Sequence, residues 1–176
     1  MERHEGAVDV GLSADTPEFA VEAISRWWQA HGRSAYPQAT RLLILADGGG
    51  SNGYRPRLWK AQLQSHLSDV TGLSLTVCHD PPGCSQWNPI EHRLFSHISI
   101  NWAGQPLRTL ETMLSLIRGT TTHTGLKVSA HVLEGLFETR KKVSDAVMKT
   151  LNCVRHTTCP RWNYTIRPRL DSASTR

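Results

Sequence analysis

The sequence is short of several things, and each shortage removes a class of answer. No apolar run in its 176 residues approaches the roughly 20 positions that a membrane-spanning helix needs, and the opening MERHEGAVDV lacks the apolar core of a signal peptide. A soluble, cytoplasmic protein with no membrane partner is the expectation. Cysteine is scarce: Cys78, Cys84, Cys153 and Cys159 stand without a secretion signal and read as reduced thiols. Five residues separate the members of each pair, wider than the spacing of about two to four that paired zinc ligands usually show, so a zinc site drawn with His79 and His156 is disfavoured. Charge of one sign is not in large excess either. Twenty Lys and Arg against 15 Asp and Glu leave +5, which permits a polyanionic partner without requiring one. There is no internal repeat and no linker that splits the chain, and 39% hydrophobic residues suit one domain with an adequate core.

What is present is organised around residues 41 to 95. The apolar run Leu42 to Ala46 is too short for a core helix; it ends on Asp47 and breaks at once into Gly48, Gly49 and Gly50. That pattern hands a carboxylate to the open end of a buried strand, with glycines following a path that side chains would forbid. At the far end, Asn88-Pro89-Ile90-Glu91 marks a helix start, with asparagine as N-cap and proline at the first helical position. Asp47 and Glu91 lie 44 positions apart and come from different elements. Hard oxygen ligands supplied this way are what a magnesium site requires, since Mg²⁺ takes one or two carboxylates and keeps the rest of its shell for water and phosphate. Two plainer readings stay open: Glu91 closing a capping box with Asn88, and Asp47 as a turn aspartate.

Along the chain, residues 7–12 read as a strand, and Thr16 with Pro17 opens a helix whose face is Phe19, Ala20, Ala23, Ile24 and Trp27, closed by Gly32. Trp27 and Trp28 cannot both point inward. A helix from about Arg55 to Thr71 shows Trp59, Leu63, Leu67 and Val70 on one face and stops at Gly72. Residues 73–77 form a second short strand, and the βαβ order implies parallel pairing with both strand ends on one edge. A helix from Pro89 to about Trp102 is amphipathic through Ile90, Leu94, Phe95 and Ile98; another carries Leu107, Leu110, Leu114 and Ile117. Residues 126–132 alternate like an added edge strand, Ser144 caps a short helix through Leu151, and residues 162–166 form a last strand. Arg55, Arg57 and Lys60 beside Asp47, and the cluster Arg140, Lys141, Lys142, are candidate DNA-phosphate contacts or plain solvated surface.

LLILADGGGSNGYRPRLWK, TVCHDPPGCSQWNPIEHRLFSHISINW and the ending WNYTIRP together resemble the DDE transposases of insertion sequences, of the Rhodopirellula type. The resemblance runs from about Val8 to Pro168. It implies a ribonuclease H-like mixed sheet flanked by helices, with Asp47 as the second metal carboxylate and Glu91 as the third. It implies two Mg²⁺ (or Mn²⁺) ions in a complete enzyme, with DNA as partner at transposon ends and target. His79 and Asp80 match no position of that pattern and are left as loop residues. Neither Asp9 nor Asp15, at 38 and 32 positions before Asp47, leaves room for two further strands, so the chain is expected to lack the first two core strands and the first catalytic aspartate. Residues 1–125 would then be a partial catalytic core, 126–168 a strand and helix extension of the same domain, and 169–176 a disordered tail. Such a chain is expected to be inactive alone; the other reading is a nonenzymatic remnant that binds DNA, a full-length transposase or a second copy of itself.

Overall fold

The computed structural model describes residues 4–81, 83, 84 and 87–169, without the side chain of Glu91. In chain order the elements are β1 (Glu5–Gly11), α1 (Pro17–Trp27), a wide π turn (Trp28–Gly32), α2 (Arg33–Ala35), β2 (Arg41–Ala46) and α3 (Arg57–Gln62). A second π turn (Leu63–Ser68), α4 (Asp69–Thr71), β3 (Ser74–His79), a third π turn (Glu91–Phe95), α5 (Ser96–Asn101) and α6 (Leu110–Arg118) come next. β4 (Lys127–Leu133), α7 (Asp145–Lys149), β5 (Cys153–Arg155) and β6 (Asn163–Ile166) complete it. The chain forms two compact units, residues 13–83 with 136–176 and residues 1–12 with 84–135. No helix among the described residues is long and apolar enough to cross a membrane.

The first unit holds a mixed sheet in the order β2-β3-β6-β5. β2 and β3 are parallel, as the βαβ spacing predicts, while β6 runs antiparallel to both β3 and β5. Residues 163–166 form an interior strand of this sheet. Tyr164 and Ile166 alternate inward as a half-buried strand requires, and both are buried. β5 has no counterpart among the expected strands; three residues with Val154 exposed carry no readable period. Val21, Trp59, Leu63, Leu67, Leu75, Val77 and the two β6 residues make the core.

Helix starts obey their capping chemistry, and two helices depart from their expected phase. Thr16 accepts from the Phe19 N–H at 3.2 Å, Pro17 comes next, and α1 begins where expected. The helix does not close at Gly32: a π turn carries it on to Ala35, and Trp28 rather than Trp27 takes the buried place. Gly32 permits this, because a Cβ there would stand 2.4 Å from the Trp28 ring. In the helix after Asp47 the π turn at 63–68 adds a residue to the winding and rotates the turns beyond it. Val70, expected inside, is 67% exposed, while Gln64 is fully buried. Gln64 is satisfied there: its amide donates to Asp69 Oδ1 (2.7 Å) and the Arg167 carbonyl (2.9 Å) and accepts from the Asn152 N–H (2.8 Å). Gly72 ends the run at φ 74°, the left-handed stop the sequence marks.

In the second unit, β1 and β4 pair in parallel, Glu5 to Gly11 against Lys127 to Leu133. The strand read at residues 7–12 is β1, and its seven-residue register with β4 makes a two-stranded sheet of its own. Leu94, Ile98, Leu114, Ile117, Leu126, Val128 and Ala130 form the core. The glutamate helix buries Leu94 and Ile98 in this core, with Trp102 packed against it; Ile90 and Phe95, read as parts of its buried face, are each 43% exposed. Here again a π turn, at Glu91–Phe95, shifts the phase. α6 begins at Leu110, capped by Thr109, and leaves Leu107 outside it.

Candidate functional site

Asp47 comes directly after β2 and is exposed. Parallel register sets Ala46 beside His79, and the Asp80 N–H donates to the Ala46 carbonyl at 2.9 Å. The carboxyl ends of β2 and β3 therefore share one rim, and Asp47 stands on it. Asp47 Oδ1 accepts from the Gly48 N–H at 2.7 Å, which turns the side chain back over its own loop and leaves the second oxygen outside that bond.

The loop after Asp47 is held by its neighbours. Gly50 takes φ 69°, and a Cβ at Gly53 would meet the Gly49 and Gly48 carbonyl oxygens at 2.7 and 2.9 Å, so two of these glycines are required by backbone. Ser51 donates to Asp15 Oδ1 at 2.6 Å. Of the two upstream acids, Asp15 is thus brought to the Asp47 loop, while Asp9 lies on β1 opposite His131. His79, left by sequence reasoning as a loop residue, is the buried last residue of β3, with Nδ1 2.9 Å from the Trp162 carbonyl and Nε2 3.0 Å from the Asn52 carbonyl. Tyr54, also buried, packs edge-on against His79 and Trp162. Arg55 Nε donates to its oxygen at 3.0 Å and holds its phenol below the ordinary range, with Arg161, 5.0 Å over the ring, pulling the same way. The signal for this cluster was in the chain, in the aromatic and basic residues Tyr54-Arg55 and Arg161-Trp162-Asn163-Tyr164, but no local period joins segments a hundred residues apart.

Glu91 opens the third π turn, in the other unit. Its side chain lies outside the described residues. Asn88 accepts from the Ile90 N–H at 3.2 Å, so the N-cap read from the sequence is in place. Beside this turn a cavity of about 590 Å³ is lined by His4, His92, Arg93, His97, Thr122 and Thr124 among others. Gly6 on β1 lets Leu94 seat the helix closely, since a Cβ there would stand 2.7 Å from Leu94 Cδ1.

The Rhodopirellula transposase DDE domain matches residues 1–168. The chain belongs to that family. No curated protein and no solved structure matches it. Within the family the mixed α/β architecture is ribonuclease H-like, and transposition is the process the chain belongs to. Among the described residues no three His, Cys, Asp or Glu side chains gather to hold a metal. The divalent ions that DDE chemistry uses are nevertheless suited by an exposed carboxylate at a strand end with one oxygen uncommitted to its loop.

The candidate DNA-contacting basic residues differ in their freedom. Arg57 donates to the Asp145 carboxylate at 2.5 Å, and both side chains are exposed. Lys60 is turned inward, donating to the Tyr54 carbonyl and lying 5.1 Å over the Tyr164 ring; burial pushes its ammonium below the ordinary range. Arg55 is engaged with Tyr54. Lys141 pairs with Glu18 at 3.1 Å and Glu138 at 3.6 Å, while Arg140 takes φ 63° and is exposed, as is Lys142.

Proposed function

We propose that Asp47 and Glu91 are carboxylate ligands to Mg²⁺ or Mn²⁺ in a site for DNA strand cleavage and strand transfer, and that this chain alone carries out little or no transfer. The observation that carries the reading is Asp47 itself, exposed at the carboxyl end of β2 on a rim shared with β3, within a chain whose DDE family match spans residues 1–168. Bound divalent ions would activate the attacking oxygen and steady the leaving one. Asp47 and Glu91 would hold them, and Arg55, Arg57, Arg140 and Lys142 would meet DNA phosphates, with Lys60 and Lys141 available only on leaving their present partners. A third carboxylate is needed to complete the charge around the in-line transition state. Asp9 on β1 and Asp15 at the loop do not match that position of the family pattern, hence the expected inactivity in isolation.

The test is Mg²⁺-dependent processing of a transposon-end duplex. Little or no cleavage, together with Mn²⁺ binding that Asp47→Ala weakens, is the expected result. Vigorous cleavage abolished by Asp47→Ala or Glu91→Ala would overturn the inactivity and support the site; vigorous cleavage indifferent to both would overturn the site. A second reading, a nonenzymatic binder of DNA or of a full-length transposase, is favoured by one feature: β2 is an edge strand whose Leu43 and Leu45 are 59% and 57% exposed. A DNA mobility shift that persists in EDTA and in Asp47→Ala would support it.

A further inference from the structure

Two backbone carbonyls from distant segments converge on the His79 ring, Asn52 at Nε2 and Trp162 at Nδ1. A carbonyl oxygen only accepts. An imidazole carries at least one N–H, so in either tautomer the ring donates to one of the two carbonyls while its other nitrogen faces the second at 3.0 Å or less. At 5% exposure the ring has little access to water, and a lost bond there is not replaced by solvent. The ring is fixed by Tyr54 at 6.3 Å and Tyr164 at 5.8 Å between centroids. The charged groups around it are Arg55 and Arg161 over the Tyr54 ring, Lys60 over the Tyr164 ring, and Asp80, next in the chain.

We propose that His79 is a positioning residue for Asp47, tying the loop of residues 48–54 to the turn that enters β6. The path is short. Asn52 is held by His79; Gly53 beside it is pressed on the Gly48 and Gly49 carbonyls; the Gly48 N–H holds Asp47 Oδ1. A loop this rich in glycine has more freedom to lose than any other, so a tie at Asn52 decides how narrowly the carboxylate is presented. The tie brings together the three segments singled out in the sequence, the one after β2, the one ending β3 and the one ending in β6. Its consequence for a cation rests on the metal reading of Asp47; the tie itself does not.

Amide hydrogen exchange on the full chain, without metal, tests it. His79→Phe keeps a ring and removes its nitrogens, and His79→Gln keeps one donor group. Protection of the amides from residue 50 to 54, and of Gly48, should fall about tenfold or more in His79→Phe and less in His79→Gln, with β3 and β6 amides unchanged as the control for folding. Unchanged loop protection in His79→Phe would overturn the proposal. If His79→Phe does not fold, His79→Gln decides: loop protection equal to that of the native chain would overturn the proposal. Mn²⁺ broadening at Asp47 in the native chain is read separately: its absence would sink the metal reading and leave the exchange result standing.

Discussion

The two carboxylates read from the sequence leave different kinds of element. Asp47 follows an edge strand onto a rim that carries backbone bonds from Asp80 and Gly48, side-chain ties from Asp15 and His79, and buried rings of Tyr54 and Tyr164. Glu91 opens a π turn in a helix that buries Leu94 and Ile98 and leaves Ile90 and Phe95 half in solvent. The rim at Asp47 is a junction of several segments, whereas the turn at Glu91 is one stretch of helix whose place follows from how its apolar residues pack.

Substitution at the firm end should have the largest effect. Trp59 is fully buried under the sheet that bears Asp47, and Trp59→Ala should destabilise the chain by about 3–5 kcal/mol, measured by denaturant unfolding. Leu94→Ala should cost less, toward the lower end of the ~2–5 kcal/mol range, because partly exposed neighbours can close on the space. The second substitution should raise exchange across residues 92–101 and leave the Asp47 loop unaltered. Equal loosening of both segments would erase the distinction between them.

The sequence made the Asp47 half legible because its signals are local. Leu42 to Ala46 ending in glycine is a strand end in any context, Thr16-Pro17 is a helix start, and Gly72 is a stop; all three stand where read. What could not be read depends on distant partners or on winding. Nothing within residues 5–11 says that they pair with 127–133, and nothing in Asn163–Ile166 says that it lies between β3 and β5. The π turns were equally silent: each moves the buried face by one residue, which placed Gln64 and Trp28 inside and Val70 and Phe95 outside, against a 3.6-residue reading. The local pair Asn88-Pro89 is legible as a cap, but the reach of Glu91 is a question of tertiary packing that spacing does not answer.

Acid should separate the halves further. Burial alone would push the Asp69 carboxyl up, but the Arg169 N–H and guanidinium and the Gln64 amide outweigh it and hold the group below its ordinary value. Arg169 makes three bonds to that carboxylate, at 2.9, 2.9 and 2.6 Å, clasping the segment after β6 to α4. A depressed carboxyl contributes stability above the ordinary carboxylate range, and that contribution is lost as pH falls through the folded-state value. The unit bearing Asp47 should therefore weaken in acid before the unit bearing Glu91, and Asp69→Asn should remove the dependence. Unfolding monitored by exchange in each unit at falling pH would show it, and simultaneous weakening would count against a separate charge-held seat.

The smallest expected effect lies at the surface of the firm half. Arg57 and Asp145 form an exposed pair, and exposed pairs contribute roughly 0–1 kcal/mol because solvent and salt screen them and two long side chains must be held still. Arg57→Ala should leave unfolding almost unchanged. Its consequence for DNA is separable: a guanidinium that exchanges Asp145 for a phosphate releases about one counterion, so its removal should lower the slope of log affinity against log salt by about 0.9. Asp145→Ala should act in the opposite sense, freeing Arg57 and strengthening DNA binding at low salt without altering that slope. If both variants bind DNA as the native chain does, Arg57 belongs to the surface, and the phosphate contacts of this half must be sought at Arg55 or across the exposed Arg140 and Lys142.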